Sequence, residues 1–98
     1  MNKEVIEIDI NSILYTLLKK RTLIEFNHWG IDIDEKELTS KTNLKDLGLD
    51  SLDITMIIFE TEIDLGIDIP EEIWKNCKTL EDIYLGFIKG GYVENKKN

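Results

Sequence analysis

The chain has 98 residues, 42% of them hydrophobic and 33% charged, with one proline, one cysteine and a formal net charge of −8. That length suits one domain with a modest core, and the composition is that of a globular chain rather than a disordered one. The acidic balance speaks against nucleic-acid binding, which needs a basic face, and the lone Cys77 rules out an internal disulfide.

Residues 1–10 form an N-terminal extension in which Ile6, Ile8 and Ile10 alternate with Glu7 and Asp9. A period of two suggests an extended lead, or an irregular one, into a helix. The start lacks the uninterrupted apolar stretch of a signal peptide, and no apolar run approaches a membrane span, so a soluble, cytoplasmic protein is expected. From residue 11 the spacing turns helical, and a first helix is predicted over 11–29, closed by Gly30. It carries two apolar stripes about a quarter turn apart at 100° per residue. Ile10, Ile13, Leu14 and Leu17 make one, which Ile24 and His28 would continue. Leu18, Thr22, Phe26 and Trp29 make the other. The first stripe is expected to order the N-terminal side against the core. The basic trio Lys19-Lys20-Arg21 sits where the stripes overlap, so the helix either uses two faces or bends there.

Residues 31–50 read as a long connection pinned by Ile31, Ile33, Leu38, Leu44 and Leu47, as a loop of this length requires. A second helix is predicted over 51–65, ended by Gly66, and a short third over 71–76, started by Pro70. Thr79, with Asp82 three residues on, opens a fourth over 79–89, whose apolar face is Leu80, Ile83, Tyr84, Phe87 and Ile88. Gly90-Gly91 begins a flexible tail over 90–98. The whole is predicted to be all-α, a four-helix bundle with a short third helix.

One stretch carries chemistry: Leu47-Gly48-Leu49-Asp50-Ser51-Leu52-Asp53. Gly48 permits a turn, Asp50 is a natural N-cap, and Asp53 stands three residues on beside the positive end of the helix. Ser51 falls on the first helical position with its side chain outward. A phosphate ester there would meet unpaired backbone N–H groups.

Competing chemistries fit poorly. A serine nucleophile needs a base, only His28 exists, and Asp53 occupies the second glycine position of a G-x-S-x-G elbow. His28 is read as a helix-surface or core-edge residue. Asp32, Asp34, Glu35 and Glu37 lack the ligand spacing of a calcium loop, since Lys36 and Glu37 fall at its fifth and sixth positions. Cys77 has no visible activator and is read as packing, with Trp74 covering the edge of the bundle.

Residues 43–88 resemble the acyl carrier protein family, in T-N-L-K-D-L-G-L-D-S-L-D, the amphipathic helix after it, L-G-I-D-I-P-E-E, and K-T-L-E-D-I. The resemblance implies that Ser51 bears 4′-phosphopantetheine, with Asp50 and Leu52 completing the motif. It implies an acyl group held as a thioester for fatty-acid, polyketide or related lipid biosynthesis. The expected partners are a phosphopantetheinyl transferase, using coenzyme A, and acyl-transferring or acyl-modifying enzymes. The chain would not itself be an enzyme, and would act as a monomer without nucleic acid, membrane or metal. An aminoacyl or peptidyl carrier is the alternative within the class. An interaction module that kept the fold and lost the arm is the alternative outside it. The N-terminal side is longer than the family's by roughly one helical segment, which the motif does not explain.

Helix two is expected to bury Ile54, Ile57, Ile58, Thr61 and Leu65. Its other side shows Leu52, Met56, Phe59 and Ile63, with Asp53, Glu60 and Asp64 between the two. In the family that side meets partners, so Asp53, Met56, Phe59, Glu60 and Ile63 are expected there. Family members commonly carry acids where this chain has Met56 and Ile63. From Asp46 to Glu72 the chain holds nine carboxylates and no Lys or Arg, which favours partners with basic patches.

Overall fold

A computed structural model describes residues 8–94. Expectations placed on residues 1–7 and 95–98 lie outside them. Among the described residues the ordered elements are four α-helices and one 3-10 turn, with no strand. They are α1 (Ile13–His28), α2 (Ser51–Leu65), α3 (Glu71–Trp74) and α4 (Leu80–Lys89). None is long and apolar enough to cross a membrane.

The helix starts follow local chemistry. Ser12 caps α1 by accepting from the Tyr15 N–H at 3.0 Å. Asp50 and Asp53 form a reciprocal capping box on α2, and Thr79 and Asp82 another on α4. Gly66 ends α2 in the left-handed region at φ 68°, a conformation that a side chain would strain. The first helix is therefore shorter than expected at both ends, and α3 stops at Trp74 rather than residue 76.

α1 packs on both α2 and α4, and α3 packs on α4. The core is built from Leu14, Leu18 and Phe26 of α1, Ile54, Ile57 and Ile58 of α2, and Leu80, Ile83 and Phe87 of α4. Buried Thr22 and Thr61 satisfy their hydroxyls by donating to the carbonyls of Leu18 and Ile57 within their own helices. The connection 31–50 is strapped down rather than slack. Leu38, Leu44 and Leu49 are buried, the Leu44 N–H donates to the Lys78 carbonyl at 2.9 Å, and the Glu81 N–H donates to that of Ser40 at 2.9 Å.

One expectation about α1 is corrected, and a choice left open by its sequence is decided. The helix is continuous, and its inward stripe is the one with Leu18, Thr22 and Phe26, whereas Ile10, Ile13 and Ile24 of the other are exposed. Only Leu14 of that stripe is buried. Apolar and polar residues are both spread round the helix, so its pattern could not single out one face, and contact with α2 and α4 made the choice. Residues 90–94, expected as flexible tail, fold back onto α1. The Glu94 carboxylate accepts from the Ile13 N–H at 2.9 Å and the Leu14 N–H at 3.2 Å, and from the Tyr92 hydroxyl at 3.2 Å. It thereby satisfies two of the unpaired donors at the start of α1 and complements the helix dipole.

Candidate functional site

The start of α2 is held by three hydrogen bonds. Asp50 is extended and accepts from the Asp53 N–H at 3.0 Å, while Asp53 Oδ2 accepts from the Asp50 N–H at 2.9 Å. Asp53 Oδ1 accepts from the indole N–H of Trp29, just past the end of α1, at 2.7 Å. Burial pushes the Asp53 carboxyl up, but the hydrogen bonds around it outweigh that, and the group sits below its ordinary 3.8. They come from the Asp50 backbone, the Trp29 indole and the Asp50 and Glu25 side chains. Glu25 alongside is pushed above its ordinary 4.5, first by burial and then by its hydrogen bond and charge contact with Asp53.

Ser51 stands on this platform as the first residue of α2, exposed, and its hydroxyl makes no hydrogen bond among the described residues. His28 is exposed and stacked edge-on to Trp29 at 5.2 Å, so Ser51 has no hydrogen-bonded general base. Among the described residues the N–H groups of Ser51 and Leu52 are unpaired as well, because the cap takes those of Asp53 and Ile54. A phosphate ester on the Ser51 oxygen would therefore lie beside two free donors at the positive end of a 15-residue helix.

A crevice of about 100 Å³ opens at Ser51, walled by Ile54, Trp74 and Cys77 and rimmed by Lys45, Lys75 and Lys78. The Cys77 thiol donates to the Ile73 carbonyl at 3.8 Å. Burial, followed by the charge of Asp82, pushes it up to about 11, so it is a wall rather than a nucleophile. A larger groove of about 820 Å³ runs between α1 and residues 35–40, and no residue of the D-S-L motif lines it.

The residues expected to meet partners separate into two groups. Met56, Phe59 and Ile63 stand together with Leu52 on the outer side of α2, at 42, 54, 64 and 71% exposure respectively. Asp53 does not join them: it is only 7% exposed and committed to Asp50 and Trp29, which corrects its placement on that side. Glu60 is half-buried and tied to Arg21 Nη1 at 3.4 Å. The same guanidinium grips Asp64 through Nε and Nη2 at 2.8 and 2.9 Å. The partnerships of Trp29 and Arg21 had no local signal, since each joins residues far apart in the sequence.

Residues 30–85 match the family model described as the phosphopantetheine attachment site. The chain is 40% identical to an acyl carrier protein of Treponema denticola over 60 residues, 60% of this chain and 76% of that one. It is 32% identical to an acyl carrier protein homolog of Mycoplasma genitalium over 69 residues, 70% of this chain and 80% of that one. Similarity also reaches the conidial yellow pigment biosynthesis polyketide synthase melA of Penicillium expansum, at 38% over 53 residues, 54% of this chain and 2% of that one. No solved structure matches the chain. The chain thus belongs to the acyl carrier protein family, as a carrier with covalently attached 4′-phosphopantetheine.

Proposed function

We propose that Ser51 is the attachment residue and that the chain carries acyl groups for fatty-acid or related biosynthesis without catalysing a reaction itself. The observation that carries this reading is the exposed, unbonded Ser51 hydroxyl on the first residue of α2, inside the matched segment and beside two free N–H groups. A phosphopantetheinyl transferase would load it, and acyl-handling enzymes would receive it. The outer side of α2, with Leu52, Met56, Phe59 and Ile63, is the surface we assign to those partners.

Intact-mass measurement after incubation with coenzyme A and a transferase tests the assignment. The wild type is expected to gain the mass of one arm, and Ser51→Ala is expected to fold and gain none. Mass gain by the alanine variant would displace the site. No gain by either protein would favour an unmodified interaction module. Loading with an aminoacyl rather than an acyl cargo would point to the other carrier branch.

A further inference from the structure

The acidic run from Asp46 to Glu72 stops abruptly at both ends, and a lysine stands just outside each: Lys45 before it, Lys75 after it. The fold brings these two together, with Lys78, at one place. The Leu44 N–H donates to the Lys78 carbonyl, which closes the connection 31–50 against the segment between α3 and α4. The three lysines thus line the crevice that Ser51 also lines, and none is ion-paired to a carboxylate among the described residues. In a chain of net charge −8, three lysines without an ion pair among the described residues at one crevice stand out beside the acidic run that they border, although Asp82 accepts from the Lys78 N–H at 2.9 Å nearby.

We propose that Lys45, Lys75 and Lys78 form a cationic seat for the phosphodiester on Ser51, so that the arm begins its course inside the crevice against Trp74 rather than free in solvent. The inference rests on the assignment of Ser51 above. Its occupant follows from covalent continuity: a group tethered to one wall of a crevice meets the other walls at high effective concentration. A phosphodiester is a permanent anion near neutral pH, and lysine binds phosphate as a mobile point charge that needs no fixed geometry. Trp74 and Ile54 give the uncharged part of the arm an apolar wall, and the neutral Cys77 thiol adds no opposing charge. The two unpaired N–H groups of α2 face the same phosphate from the serine side.

The test compares unloaded and loaded protein by amide and indole N–H spectra, with loading confirmed separately by intact mass. Loading is expected to shift the Trp74 indole signal and the amides of residues 75–78. In the Lys45→Gln/Lys75→Gln/Lys78→Gln variant, those shifts are expected to fall at least severalfold, while mass gain persists. A matched variant, Lys20→Gln/Lys36→Gln/Lys41→Gln, has the same net charge and is expected to keep them, which separates a local seat from a general charge effect. Replacing the seat lysines by arginine is expected to restore the shifts. Added salt is expected to shrink them in the wild type, because the seat is solvent-exposed. If the loaded wild type shows no change at Trp74, or the triple seat variant keeps the full change, the proposal is overturned and the Ser51 assignment stands. An absence of mass gain in the wild type overturns the assignment itself, and its loss in the seat variant alone overturns the proposal that these lysines act only after loading.

Discussion

Replacing Trp29 by Phe keeps an aromatic ring at the end of α1 and removes one atom's function, the N–H that Asp53 Oδ1 accepts at 2.7 Å. Trp29 is itself 58% exposed, so little burial is lost with the indole. Asp53 is the group that suffers, being 7% exposed and left with a charged oxygen short of a donor. Hydrogen bonds to charged groups contribute about 1.5–3 kcal/mol, and water can reach this edge of the site, so the low end applies, about 1.5 kcal/mol. For a chain of this size that is a fall in Tm of roughly 6–12 °C. The pH dependence sharpens the test. A carboxyl whose folded pKa is depressed contributes stability above its unfolded value, and loses it as pH falls through the folded one. The gap between wild type and Trp29→Phe is therefore expected to be full at neutral pH and to close below 3.8. Glu25 acts in a different window and with the opposite sign. Its raised pKa costs stability at neutral pH, and that cost is relieved as pH falls towards 4.5. Chemical denaturation at several pH values measures both. Equal stability at neutral pH, or a gap that persists undiminished in acid, would refute the account of Trp29 as the donor that steadies the Ser51 platform.

Glu94→Ala is expected to cost about 1 kcal/mol, as loss of an N-terminal cap does, and to speed amide exchange at Ile13 and Leu14, whose N–H groups it accepts. Gly48→Ala is expected to destabilise more than Gly66→Ala: both sit at positive φ, but only the first would bring a Cβ to 2.9 Å from Ile31 Cδ1. Thermal melts compare the two, and equal losses would show that Ile31 simply moves aside. The Met56→Glu/Ile63→Glu variant is expected to stay within about 0.5 kcal/mol of wild type, since both residues are exposed, and still to load at Ser51 while losing its acyl-handling partner. Unfolding would place the stripe in the core, and unchanged partner affinity would remove it from the docking surface.

What was legible in the sequence was what depends on neighbours within a few positions. Asp50 with Asp53, Thr79 with Asp82, and Gly66 act within a single turn, so the helices they bound could be placed from spacing alone. The apolar residues of the 31–50 connection were legible too, because a long loop has to be anchored, and Leu38 and Leu44 are buried. The inward face of α1 was not, because apolar and polar residues are mixed all round that helix. Nor were the contacts that cross the fold: Trp29 to Asp53, Arg21 to Asp64 and Glu94 to Leu14 span 24, 43 and 80 positions. The lysine seat is hidden for a related reason. In sequence its members merely border an acidic run, and only the strap between Leu44 and Lys78 turns those borders into one site.

The acidic run itself changes meaning once its members are followed in space. Nine carboxylates between Asp46 and Glu72 suggest a surface that steers basic partners. Those on α2 are mostly occupied. Asp53 is buried, Glu60 and Asp64 share Arg21, and Glu62 accepts from the Ile69 N–H at 2.6 Å. The exposed acids without such ties, Asp46, Asp68, Glu71 and Glu72, lie off the outer face of α2, on the segments before and after it. Along α2 the outward material is Leu52, Met56, Phe59 and Ile63. An exposed ion pair contributes about 0–1 kcal/mol, whereas fully burying one large apolar side chain contributes about 1.5–3 kcal/mol. On our assignment of that face, burial supplies most of the affinity and the flanking acids mainly set approach and orientation. Salt would then slow association with an acyl-handling partner while leaving dissociation nearly unchanged. Kinetics at two ionic strengths distinguish this from charge-dominated docking, in which dissociation would accelerate as well.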